Sequence, residues 1–145
     1  MHPGDGEVSV WSENLAYALI QVVHNFGAAA VLGGAVFALW PASRLDTGRA
    51  FGALILVAWA VQIASGGLFG LTSLAYYGET PDLSHIAMAA LIVKVAAALS
   101  GFLLAATYLL RGSTWTRAGI RRTFLSLAAL ATLALTAAAF LRWFS

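Results

Sequence analysis

The chain has 145 residues, of which 61% are hydrophobic and 10% are charged, and its formal net charge is +2. Soluble domains carry roughly a quarter charged residues, so this composition excludes an ordinary soluble domain, and the small net charge gives no indication of a nucleic-acid partner. Cysteine is absent, which excludes disulfides, thiolate zinc sites, iron–sulfur clusters and cysteine nucleophiles.

Apolar stretches predict helices at about residues 12–40, 50–77, 83–111 and 118–144. Each is long enough to cross a hydrocarbon core of roughly 30 Å at about 1.5 Å per residue. None shows the alternation of a spanning strand. Short connecting loops make successive helices antiparallel. We therefore predict an all-α fold, an integral membrane up-down-up-down four-helix bundle that forms one transmembrane domain over residues 1–145.

The loops predict the orientation of this bundle. The three connecting loops are expected at Pro41–Arg49, Gly78–Asp82 and Arg111–Arg122, with Ser84 or Asp82 as the N-cap of the third helix. Arginines gather in the first and third loops, which the positive-inside rule places in the cytoplasm: Arg44, Arg49, Arg111, Arg117, Arg121 and Arg122. We expect a bacterial inner membrane protein with both termini in the periplasm. Arg142 departs from the rule.

Lys94 is an ionisable residue deep inside an apolar helix. Such a side chain costs about 2.5–3.5 kcal/mol at a bilayer centre and usually faces the bundle interior with a partner. It lies ten residues beyond Ser84, about 15 Å along the helix. The alternative is that its amine reaches an interface, and the depth of Lys94 argues against that.

His24 lies at a matching depth, eight residues beyond Ala16 in a helix that runs in the same direction. Gln21 and Asn25 flank it, and Gln62 is a further polar residue in the second helix. A lone buried histidine is usually a hydrogen-bonded core residue. Here all six acids lie in loops or in the N-terminal lead-in before Ala16, so a metal or an anion is expected to compensate the pair.

Two weaker signals are a histidine and a methionine at the outer end of the third helix, here called the rim, and two pairs of glycines. His85 and Met88 are three residues apart at the start of the third helix and form a possible shallow copper site, or His85 simply lies at the membrane interface. The pairs Gly33-Gly34 and Gly66-Gly67 indicate close helix approach, or room for a flat ligand.

Several motifs resemble the copper-resistance protein D family. They are His24 followed by Gly33-Gly34, Ser65-Gly66, and Tyr77-Gly78 followed by Leu91-Ile-Val-Lys94. The resemblance covers about residues 20–110. The same superfamily includes the HemJ-type protoporphyrinogen oxidases, four-helix membrane proteins associated with b-type haem. Their first-helix histidine and third-helix lysine correspond to His24 and Lys94.

The resemblance implies a haem-b-binding electron-transfer protein rather than a stand-alone enzyme. His24 would ligate the iron, Lys94 would be a second ligand or a partner of a haem propionate, and Gln21, Asn25 and Gln62 would orient them. The expected partners are the lipid bilayer and a membrane or periplasmic redox protein, with quinone a further candidate. The alternatives are copper transport and porphyrinogen oxidation. Two methionines and no cysteine leave few soft ligands for copper.

Overall fold

The computed structural model describes residues 5–40, 45–78 and 82–145, which form four long α-helices. They are α1 (Asp5–Ala38), α2 (Leu45–Tyr77), α3 (His85–Arg111) and α4 (Arg117–Phe144), with a single 3₁₀ turn at Gly112–Thr114. No strand occurs in this part of the chain. All four helices are long and apolar enough to cross a membrane. The predicted all-α class and the four apolar helices are confirmed.

The helices are longer than their apolar stretches. Helix α1 begins at Asp5 rather than near residue 12, and α2 begins at Leu45, inside the predicted first loop. The predicted third loop is mostly helical, since the 3₁₀ turn and the start of α4 lie within it. Helical hydrogen bonds join backbone groups, so hydropathy marks the apolar part of a helix and not its ends. Pro41, Arg44 and Glu79 lie outside the described residues.

Local signals determine several helix ends. Ser84 is the N-cap of α3, and its hydroxyl accepts a hydrogen bond from the Ala87 amide at 3.2 Å, so of the two predicted caps it is Ser84 that is used. Thr116 caps α4 in the same way. Gly78 follows α2 with φ of +73°, a left-handed conformation that ends helices and favours glycine.

Aromatic and aliphatic side chains fill one half of the bundle. Tyr108 packs edge-on against Phe124, with ring centroids 5.0 Å apart, and both are almost fully buried beside Ile55 and Leu127. Gly52 admits the Tyr108 ring, since a Cβ there would lie 2.7 Å from it. The pairs α1–α2 and α3–α4 make the most extensive contacts.

Trp59 lies at one end of this core. Its side chain is 2% exposed and lies against Gly101, where a Cβ would be 2.4 Å from the indole ring. The indole is rigid and buried, so it cannot swing away as a flexible chain end would. Close approach of α2 and α3 at this level therefore requires glycine at position 101.

Replacing Gly101 with alanine is expected to destabilise the protein by about 1–3 kcal/mol, because the added methyl group overpacks the Trp59 layer. The measurement is the free energy of unfolding in detergent. Gly70→Ala is the matched control, since a Cβ at position 70 meets nothing within 4 Å. Equal effects of the two substitutions would contradict the packing role of Gly101.

Candidate functional site

The other half of the bundle contains a cavity of about 1190 Å³ lined by all four helices. Trp59 lines its inner limit, and the cavity continues past Lys94 to Leu83 and Arg142. At that end the Ser84 hydroxyl donates a hydrogen bond to the Phe144 carbonyl at 2.5 Å. Ligand pockets usually measure about 300–1,000 Å³, so this cavity has room for a large cofactor.

A chain of hydrogen bonds crosses three helices beside the cavity. Lys94 Nζ lies 3.2 Å from His24 Nε2, and His24 Nδ1 lies 2.7 Å from Ser65 Oγ. The Ser65 hydroxyl donates its proton to the Val61 carbonyl at 2.6 Å. A hydroxyl has one proton, so His24 Nδ1 must carry the proton that it shares with Ser65. The lone pair of Nε2 therefore faces Lys94.

Further contacts hold the His24 ring and backbone. The Gln62 side-chain amide donates to the His24 carbonyl at 2.5 Å. Gly27 makes this reach possible, since a Cβ there would lie 2.6 Å from Gln62 Nε2. Phe69 packs edge-on against the imidazole with centroids 5.7 Å apart. With 8% of His24 exposed, its ring has a fixed orientation.

The charge of the cavity wall is basic. His24, Lys94 and Arg142 contribute to the lining, and no acidic side chain does so among the described residues. Glu13 lies near the same end, where its carboxylate accepts a hydrogen bond from the Tyr77 hydroxyl, but it does not line the cavity. The site therefore suits an anionic ligand, or a metal that accepts nitrogen ligands.

The structure brings some of the predicted site residues together and separates others. His24 and Lys94 meet directly, and Gln62 contacts the backbone of His24 rather than its ring. Gln21 and Asn25 line the cavity and hydrogen-bond to each other at 2.7 Å.

The rim candidates lie apart from this site. His85 and Met88 are exposed and do not line the cavity. No group of three metal-ligating His, Cys, Asp or Glu side chains occurs among the described residues.

The glycine pairs have different environments. Gly34 permits close helix approach, since a Cβ there would lie 3.0 Å from Ile55. A Cβ at Gly33, Gly66 or Gly67 would meet nothing within 4 Å. Gly66 and Gly67 line the cavity instead. The close-approach interpretation is wrong for these three glycines, and Gly66 and Gly67 leave open space on the ligand side of α2.

Sequence reasoning missed three residues of the site. Ser65 enters the sequence analysis only within a family motif, yet it is the partner of His24 Nδ1. Trp59 and Arg142 line opposite ends of the cavity. A signal existed only for Arg142, which departs from the arginine distribution of the loops.

Comparison with protein-family models, curated proteins and solved structures gives no match for this chain. The functional argument therefore depends on the geometry and chemistry of the cavity.

Ser65→Ala is expected to destabilise the protein by about 1 kcal/mol, within the range measured for hydrogen bonds between membrane helices. The substitution removes the partner of His24 Nδ1 and should cost little in a His24→Leu background. A double-mutant cycle of unfolding free energies measures this coupling. Thr132→Ala is the control, because Thr132 bonds only a carbonyl of its own helix. Additive effects of Ser65→Ala and His24→Leu would refute the coupling.

Proposed function

We propose that this chain is a multi-pass membrane protein that binds haem b in the cavity and takes part in electron transfer, as a subunit or partner of a membrane redox system. The observation that carries the proposal is the oriented imidazole of His24, whose Nε2 lone pair faces Lys94 beside a large cavity. Haem supplies one-electron chemistry at its iron, and the protein tunes it through ligation and burial.

We propose an up-down-up-down arrangement in a bacterial inner membrane, with both termini periplasmic. Two contacts support it, since Glu13 of α1 bonds Tyr77 at the end of α2, and Ser84 before α3 bonds Phe144 at the end of α4. Exposed arginines at the opposite helix ends support a cytoplasmic position for those ends: Arg49, Arg111, Arg117, Arg121 and Arg122.

The shape of the cavity supports a flat ligand. Gly66, Gly67 and Gly70 line one wall, and a Cβ at any of them would meet nothing within 4 Å. Trp59 offers an aromatic surface at the inner limit, and its indole N–H has no hydrogen-bond partner among the described residues. This wall therefore leaves space for a broad apolar ring beside the α2 backbone.

The His24–Lys94 pair supports iron ligation by His24. A neutral imidazole is a common ligand of haem iron, and the bond between Nδ1–H and Ser65 leaves Nε2 as the ligating atom. Lys94 Nζ lies at hydrogen-bonding distance from His24 Nε2, 3.2 Å, so Lys94 would have to move aside for a metal to bind this nitrogen.

The alternatives have less support. Copper at His85 and Met88 would use two side chains that are exposed outside the cavity. Porphyrinogen oxidation would use the same cavity, and it remains the alternative suggested by the resemblance to the HemJ-type oxidases. Both proposed functions predict that a tetrapyrrole binds beside His24.

His24→Ala should remove most bound haem while leaving membrane insertion intact, because it deletes the proposed iron ligand. Lys94→Met should weaken haem binding or shift its absorption bands. The measurement is the visible spectrum of the detergent-purified protein, with Soret and reduced α and β bands. His85→Ala is the matched control and should retain haem. Full occupancy with an unchanged spectrum in both core variants would overturn the proposal.

Reporter fusions test the proposed topology. A reporter joined after Arg49 should give a cytoplasmic signal, and one joined after Gly78 a periplasmic signal, because the arginine-rich ends resist translocation. Identical signals from the two fusions would reject the topology without bearing on haem binding.

A further inference from the structure

We propose that Arg142 binds the carboxylates of the cavity's ligand, so that the haem lies with its propionates toward the end of the bundle formed by Ser84 and Phe144. This inference rests on the proposed haem binding and adds the orientation of the ligand and the residue that recognises its charge. Arg142 lines the cavity on α4, in the last turn of that helix.

The position of Arg142 matches the outer edge of a ligand held at His24. Ser84 is level with Phe144 through their hydrogen bond. Lys94 lies about 15 Å along α3 from Ser84, and Arg142 lies about 3 Å along α4 from Phe144, at about 1.5 Å per residue. The backbones of Lys94 and Arg142 are thus separated by about 12 Å along the bundle. A ligand anchored at His24 can extend across this separation within one continuous cavity.

With its amine in the observed position beside His24, Lys94 is too close to the proposed iron ligand to bind the carboxylates as well. Lys94 Nζ lies 3.2 Å from His24 Nε2, so both nitrogens meet the ligand at one point. In a haem the iron lies at the ring centre and the propionates extend beyond the ring edge. A rigid ring cannot present both groups to atoms so close together. The carboxylates therefore need a second cation farther from His24.

Apart from His24 and Lys94, Arg142 is the remaining cation of the cavity wall among the residues that the structure describes. No acidic side chain among the described residues shares the cavity lining with Arg142. A guanidinium binds carboxylates through paired N–H donors, which gives direction as well as charge. Its place at the exposed end of the cavity also allows the propionates to stay partly hydrated while the ring is buried.

The test compares three ligands with two variants, in the full chain reconstituted in phosphatidylcholine nanodiscs. The ligands are haem, haem dimethyl ester and metal-free protoporphyrin, and binding is followed by quenching of tryptophan fluorescence. Arg142→Gln should weaken haem and protoporphyrin about tenfold, the effect of losing a charge-assisted hydrogen bond. It should leave the ester unchanged, because the ester has no carboxylate.

His24→Ala should show the complementary pattern, with weaker binding of haem and its ester and unchanged binding of protoporphyrin. Arg142→Lys should recover part of the haem affinity. Arg111→Gln is the matched control, since Arg111 is an exposed arginine outside the cavity lining, and it should bind all three ligands as the unsubstituted protein does.

The outcomes separate the two proposals. Unchanged haem and protoporphyrin affinity in Arg142→Gln would overturn the role of Arg142 and leave iron ligation by His24 intact. Equal losses for haem and ester in Arg142→Gln would also overturn it, because the effect would not depend on carboxylates. A third outcome is that Arg142→Gln weakens the binding of haem and protoporphyrin while His24→Ala leaves haem binding unchanged. That outcome would support the carboxylate site and reject His24 as the iron ligand. Absence of haem binding by the unsubstituted protein would reject both.

Discussion

A lysine amine and a histidine imidazole lie 3.2 Å apart in an apolar bundle, and no acidic side chain of the described residues lines the space beside them. Such groups are costly in a bilayer unless they have partners. The histidine finds partners in Ser65 and, through its carbonyl, in Gln62. These two bonds join α1 to α2, and the Lys94 contact joins α1 to α3, so together they fix three helices at one level. One face of the pair remains open to the cavity.

The bundle is asymmetric because residue size differs between its two halves. In the filled half, glycines receive aromatic rings: Gly52 admits Tyr108, and Gly101 admits Trp59. In the open half, Gly66 and Gly67 line the cavity, and a Cβ at either position would meet nothing within 4 Å. Packing drives association of apolar helices in lipid, so the filled half can hold the bundle together while the open half keeps its space. Trp59 forms the boundary between the two.

The sequence predicts how deep the site lies along the bundle, because the rise per residue of an α-helix is constant. Counting residues from the helix starts places His24 and Lys94 at one depth, and the structure brings them into contact. The rotation of each helix about its own axis, which decides the face that it turns toward its neighbours, is harder to predict. Helix α2 is apolar on all sides, so hydropathy does not indicate which face meets α1, and the pairing of His24 with Ser65 has no local signal. The same ambiguity explains why glycine pairs of similar appearance have opposite environments.

Departures from the rules of membrane sequences gather around one cavity. Lys94 and His24 depart from apolar composition, and Arg142 departs from the positive-inside pattern. Arg142 is far from the buried pair in sequence, yet it lines the same space. Residues that break a local rule without structural benefit are expected at functional sites. His24 and Lys94 lie deep in this cavity and the Arg142 guanidinium lies at its exposed end, so the proposed ligand, an apolar ring with a metal and carboxylates, would engage all three departures at once.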